Sequence, residues 1–283
     1  VRRILIAVAG SLLVAASLLA QATATAPFLA APDQQFAADG VTLRYRDVGT
    51  GDPIVLIHGY GAALESMAGI ARALPEYRLV APDLRGFGRS SKFAEAERFG
   101  QQMVDDVVRL MDHLKIQRAH LLGHSMGALI AANVASRFPA RTASATLVAG
   151  PFYADEATFE REAARWTSDL QSGKGLSNFM LWLFPAWKPE MAAMANAGAM
   201  KSNDLGSLIA VMRSLPKMAI AGLPSNGDKT LLVAGTGDPL FPLSPAFAKQ
   251  SPGARLVEIA GADHVNVIAN PVAVTAIRER LLP

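Results

Sequence analysis

The chain has 283 residues, enough for one large domain or two small ones, and at 51% hydrophobic and 18% charged it can bury a substantial core. Its formal charge is +3, and Arg2 and Arg3 account for two of those charges, so the rest is too balanced to argue for nucleic acid or an anionic surface. Cysteine is absent, which excludes disulfides, thiol catalysis, cysteine-ligated metals and a lipidated cysteine at a processing site.

The amino terminus opens on a short basic head, Val1-Arg2-Arg3, followed by an uncharged apolar run over 4–20. Small residues then repeat as Ala22-Thr23-Ala24 and Ala24-Thr25-Ala26. This order of basic, apolar and small residues is the secretory pattern, and it predicts a signal peptide over 1–24. Cleavage after Ala24 is preferred, because a cut after Ala26 would leave Pro27 directly behind the break. The expectation is an exported, periplasmic or secreted protein with no stable membrane span once mature. An uncleaved N-terminal anchor is the alternative, since the apolar run lies at the lower limit for a span. Residues 25–38 read as a flexible leader.

Beyond the leader, Val41–Val48 alternates with period two and predicts a half-exposed strand. Residues 54–57 (Ile-Val-Leu-Ile) form a continuous apolar run, as buried parallel strands do. His58-Gly59-Tyr60-Gly61 follows directly; small residues there let backbone N–H groups point into a site. Residues 78–81 make another short strand, closing on Asp83-Leu84-Arg85-Gly86-Phe87-Gly88-Arg89-Ser90. Residues 101–114 carry apolar side chains at amphipathic-helix spacing. A buried-strand candidate over 119–122 runs into Gly123-His124-Ser125-Met126-Gly127, and a helix-prone stretch over 128–138 stops at Pro139. A serine held between such a strand and helix sits on a tight turn, where side chains at Gly123 and Gly127 would block the approach of strand to helix. Residues 143–149 supply the next strand. Strands alternating with helices predict a mostly parallel sheet whose ligands gather at the carboxyl ends of the strands, where Ser125 and residues 58–61 fall.

The alternation stops over 151–222. Helix candidates lie at 155–170, 189–200 and 205–218, with an apolar, aromatic stretch over 176–187. All three tryptophans (Trp166, Trp182, Trp187) and six of the ten methionines lie here, an adaptable apolar layer suited to an apolar acyl or ring group. Strands resume at 229–234, ending before Asp238, and at 254–259, ending before Asp263-His264.

Taken together, His58-Gly59-Tyr60-Gly61, the loop from Asp83 to Ser90, and Gly123-His124-Ser125-Met126-Gly127 resemble, in order and spacing, the α/β-hydrolase fold family. The resemblance runs from about residue 40 to the carboxyl end and is weaker over 151–222. Esterases, carbon–carbon bond hydrolases and cofactor-free haloperoxidase-like enzymes are the group it resembles best. Haloalkane dehalogenases and epoxide hydrolases carry an aspartate where this chain has Ser125, which argues against both. The resemblance implies an α/β fold: a mostly parallel eight-stranded-type sheet with helices on both faces and a helical cap inserted after the sixth strand. The core would then occupy 39–150 and 223–283, and the cap 151–222.

It also implies a triad in the order Ser125, Asp238, His264. His113 on a helix and His120 in a strand read as structural. His58 and His124 flank the site and, with Trp182 and Phe184, are candidate pocket residues. Asp263 adjoins His264 in sequence and would point elsewhere, and Asp83 is better suited to holding its own loop. A serine hydroxyl needs a base, here His264, oriented by Asp238. The oxyanion would take hydrogen bonds from the backbone N–H groups of Tyr60 and Met126. The chemistry expected is acylation of Ser125 and hydrolysis, with neither metal nor organic cofactor. A carboxylesterase or lipase-like enzyme on small apolar esters is the first reading. Carbon–carbon bond hydrolysis of a diketone or dienone is the second; there polar cap contacts hold a substrate carboxylate, and no arginine pair stands out as a clamp, though Arg213 could reach in. A perhydrolase or acyltransferase would use the same parts, and a catalytically silent binding protein is the non-enzyme alternative.

Overall fold

The computed structural model describes residues 28–282; the predicted signal peptide lies outside them. Strands β1 (Gln34–Ala38), β2 (Val41–Val48), β3 (Pro53–Ile57), β4 (Arg78–Pro82), β5 (Ala119–His124), β6 (Thr142–Val148), β7 (Thr230–Gly235) and β8 (Arg255–Ile259) form one sheet. Its order is β1-β2-β4-β3-β5-β6-β7-β8. The pairs β1–β2 and β2–β4 are antiparallel, and every later pair is parallel.

The continuous apolar runs are central strands because helices cover both faces. Val55 and Ile57 of β3 enter one core with α2 (Gln101–His113) and α3 (Met126–Arg137). Ile54 and Leu56 enter the other, with α1 (Ala68–Arg72) and α9 (Pro271–Leu281). All four side chains are wholly buried. At about 25 cal/mol per Å² of apolar surface, each such side chain contributes roughly 1.5–3 kcal/mol.

Two expectations are corrected at the amino-terminal edge. Residues 34–38, which read as leader, pair in register with β2 from Gln34↔Tyr45 to Ala38↔Val41. The signal was Asp39-Gly40, a two-residue hairpin turn with both φ positive, at 52° and 70°. Strand β2 is also more buried than its alternation suggests. Its polar positions Arg44 and Arg46 are 3% and 8% exposed and pair with Asp33 and Glu65, and Arg44 also with Asp83. A charge can be buried at an alternating position when carboxylates close over it.

The helical cap follows β6 as expected: α4 (Glu156–Gln171), α5 (Ser177–Leu183), α6 (Pro189–Ser202) and α7 (Leu205–Ser214). Asp155 and Asp204 cap α4 and α7, accepting from Thr158 N–H at 2.8 Å and Ser207 N–H at 2.7 Å. Helix α7 ends sooner than the apolar pattern suggests, because Pro216 offers no N–H, and Leu215–Met218 continues as a 3-10 turn. Helix α8 (Leu243–Lys249) links β7 to β8. Among the described residues no helix is long and apolar enough to cross a membrane.

Candidate active site

Ser125 occupies the turn between β5 and α3 with φ 56° and ψ −123°. Such backbone stores about 1–3 kcal/mol of strain in a residue with a side chain. The surroundings hold it: Ser125 N–H donates to Val148 O at 2.8 Å. A methyl at Gly123 would overlap the Gly127 carbonyl, and one at Gly127 the Ile57 carbonyl. Both glycines are therefore needed for the close crossing of strand and helix.

The loop after β3 lies against this elbow, so closely that a Cβ on Gly59 would stand 3.1 Å from the Ser125 Cβ. Tyr60, Ser125 and Met126 line one cavity. Met126 is the first residue of α3, where the helix ladder leaves its N–H without an acceptor. Two hydrogen bonds tie the same loop to the cap. Tyr60 Oη–H donates to Leu208 O at 2.7 Å, and Asn203 Nδ2–H donates to Gly61 O at 2.9 Å. Burial pushes the Tyr60 phenol well above its usual range, so it stays a neutral donor.

The loops after β7 and β8 bring Asp238 and His264 together. His264 Nδ1–H donates to Asp238 Oδ2 at 2.8 Å, and the two residues are 3% and 4% exposed. The other carboxylate oxygen accepts from Leu240 N–H at 2.9 Å. An ionised carboxylate only accepts, which puts the His264 proton on Nδ1 and leaves Nε2 as the acceptor. His264 and Ser125 line a common cavity. Their side chains are not hydrogen-bonded to each other among the described residues; such contacts often tighten only around substrate.

Neither competing carboxylate is available to His264. Asp83 accepts from Leu64 N–H, Arg89 N–H and Arg44 Nη1, and so holds its own loop. Asp263 accepts from Val265 and Asn266 N–H in a local turn.

Ser125 stands where two lobes meet, with Tyr60 and Phe179 as shared walls. The inner lobe is lined by Tyr153, Phe159, Trp166, Trp182, Met212 and Leu215, among others. The outer lobe holds His124, Met180, Phe184, Trp187 and His264. Phe184 stacks on Trp187 at 4.2 Å and meets the His264 ring edge-on at 6.4 Å.

Of the sequence-predicted pocket residues, Trp182 thus falls in the inner lobe, and His124 and Phe184 in the outer. His58 lines neither, which corrects that expectation. It is fully buried, donates from Nδ1 to Gly59 O at 2.8 Å and accepts Leu84 N–H on Nε2 at 3.0 Å. Its ring bolts the loop after β3 to the loop after β4. His124 donates from Nε2 to His264 O at 2.7 Å. Burial, then the neighbouring His264, pulls its pKa down to about 4. Arg213 does not reach in; it opens with Glu160 and Thr167 on a separate surface pocket. His120 is structural, with Nδ1 at 2.7 Å from Ser144 Oγ. Sequence reasoning missed Tyr153, Phe159 and Phe179. Phe159, Ala163 and Trp166 do lie on one face of α4 at helical spacing, a signal that was available.

Comparison with known proteins places the chain. Over 119 residues it is 40% identical to the dihydrolipoyllysine-residue acetyltransferase component of an acetoin cleaving system from Pseudomonas putida, covering 41% of this chain and 32% of that one. Over 112 residues it is 36% identical to a 2-hydroxymuconate semialdehyde hydrolase from Pseudomonas sp. strain CF600, covering 38% and 40%. The chain therefore matches 32% and 40% of the length of these two curated relatives. A thermophilic esterase from Thermogutta terrifontis superposes with a TM-score of 0.71 at 25% identity, over 89% of this chain and 98% of that one. The sequence profile described as alpha/beta hydrolase fold matches residues 52–193. With the sheet order, the strained serine turn and the inserted cap, that match establishes that the chain belongs to the α/β hydrolase fold family.

Proposed function

We propose that the protein is an exported serine hydrolase that cleaves carboxylic esters of small apolar acyl groups through an acyl-enzyme on Ser125. One observation carries this reading: the buried His264–Asp238 pair, joined at 2.8 Å, opens on the same cavity as the strained serine. His264 Nε2 takes the Ser125 proton as Oγ attacks the ester carbon. The resulting oxyanion receives the Tyr60 and Met126 N–H groups, each worth about 10²–10³ in rate. When the intermediate collapses, the ester C–O bond breaks and the leaving oxygen takes the proton from His264. Water then attacks the acyl-enzyme, giving its proton to His264, and the carboxylic acid leaves as Ser125 recovers its hydrogen. His264 must reach the leaving oxygen, so the alcohol belongs in the outer lobe with it, and the acyl group in the inner lobe.

The similarity to a semialdehyde hydrolase favours a second reading, carbon–carbon bond hydrolysis by the same triad. A substrate carboxylate would need a basic clamp. The residues lining the two lobes include no arginine or lysine, and the inner lobe holds Glu162, so ester hydrolysis is preferred. Export rests on the pattern of the first 24 residues.

The test is release of p-nitrophenol from short-chain esters, with a fluorophosphonate label on the nucleophile. Ester turnover and a single label, both lost in Ser125→Ala and turnover lost in His264→Ala, are the expected results. Inert esters together with cleavage of a vinylogous diketone would hand the case to the second reading. Protein from the native host that retains Val1 would remove the cleaved signal.

A further inference from the structure

Helix α4 turns Phe159, Glu162, Ala163 and Trp166 toward the inner lobe. That spacing is the stripe an amphipathic helix presents to a core, and the other three members are at most 4% exposed. Glu162 is the one charged residue among those lining the lobe. No arginine or lysine comes within 4.0 Å of its carboxylate among the described residues. The nearby cations are engaged elsewhere. Arg165 lies over the Trp166 ring at 4.3 Å, and Arg161 donates to Ala157 O and Thr158 Oγ1. Arg213 opens on the adjacent face of α4. The carboxylate is felt inside the lobe: burial, then the charge of Glu162, pushes the Tyr153 phenol up to about 12.

We propose that Glu162 makes the inner lobe selective for acyl groups whose far end carries a hydrogen-bond donor, a hydroxyl or an ammonium, and rejects acyl groups ending in a carboxylate. An apolar lobe strengthens both the attraction and the repulsion relative to water. This rests on the ester-hydrolase reading, which places the acyl group there.

The experiment uses p-nitrophenyl esters of a six-carbon acyl group ending in methyl, hydroxyl, ammonium or carboxylate. Values of kcat/KM are taken for the full protein and for Glu162→Gln, each divided by that variant's value for the methyl-ended ester. The ammonium-to-carboxylate ratio should fall by about tenfold or more in Glu162→Gln. In the unaltered protein the same ratio should shrink as salt is raised from low to physiological strength. The hydroxyl-ended ester separates a need for a donor from a need for charge: a loss there in Glu162→Gln assigns the hydrogen bond, and no loss restricts the selectivity to ammonium. Equal ratios in both proteins, with no salt dependence, overturn the proposal. If the methyl-ended ester is turned over and Ser125→Ala abolishes it, the ester reading survives that failure; if no ester is turned over, the ester reading itself has failed.

Discussion

Replacing Tyr60 by phenylalanine should slow acylation while leaving substrate binding nearly intact. The proposed oxyanion donor is the Tyr60 backbone N–H, which every side chain at this position shares, so the substitution acts only through the hydroxyl. That hydroxyl holds the oxyanion loop to Leu208 O at 2.7 Å, and Asn203 holds the next residue, Gly61, at 2.9 Å. A neutral hydrogen bond contributes about 0.5–1.5 kcal/mol net. If its loss is felt mainly in the transition state, the acylation rate falls about two- to tenfold. Removing both tethers, in Tyr60→Phe with Asn203→Ala, should approach the roughly 10²-fold loss typical of a missing oxyanion donor. The measurement is the pre-steady-state burst with p-nitrophenyl acetate, which separates acylation from deacylation, alongside KM. A change confined to KM, or an unchanged burst rate in the double variant, would refute the idea that the cap positions the loop. Thermal unfolding gives a second readout, since loss of about 1 kcal/mol in a domain of this size lowers Tm by only about 2–4 °C; a much larger drop would mean the hydroxyl serves the fold more than the rate.

Asp238→Asn should keep the fold and lose about 10⁴ in kcat, because an amide cannot enforce the Nδ1–H tautomer of His264 now held at 2.8 Å; near-normal kcat would reassign the acid. His124 carries an acid sensitivity. Its pKa is drawn down to about 4, so below the ordinary value near 6.5 the unfolded chain binds the proton first and stability falls as pH drops from about 6.5 to 4. The contribution is at most about 3 kcal/mol, reduced by its partial exposure to the cavity. Glutamine keeps an N–H donor for His264 O without a titrating group, so urea midpoints of the two proteins should converge as pH falls from 7.5 to 4.5. A constant gap between them would mean that His124 does not titrate as its burial implies.

Much of the frame was legible because burial on both faces leaves a plain mark. The runs at 54–57, 119–122 and 229–234 read as buried strands bounded by turn residues, and the serine turn declares itself by its flanking glycines. The edge was harder. Strand β1 is short and polar, and only Asp39-Gly40 announces the hairpin that brings it into the sheet. Arg44 and Arg46 read as solvent-facing because the carboxylates that bury them come from other parts of the chain, Glu65 and, for Arg44, Asp83. His58 read as a pocket residue because it adjoins the loop in sequence, yet its two hydrogen bonds turn the ring inward.

By itself the sequence determined the order of the elements, the inserted cap, and which serine, aspartate and histidine lie just beyond strand ends, because periodicity and backbone steric limits are local properties. The structure joins His264 to Asp238, the carboxylate that the resemblance had already singled out over Asp263 and Asp83, and only the structure decided that the site divides into two lobes, with Glu162 the one charged residue lining one of them. The structure also decided that the tyrosine hydroxyl at 60 grips a carbonyl 148 residues away. Those outcomes depend on the relative placement of separate elements, which follows from the packing of two cores and leaves no periodic trace along the chain.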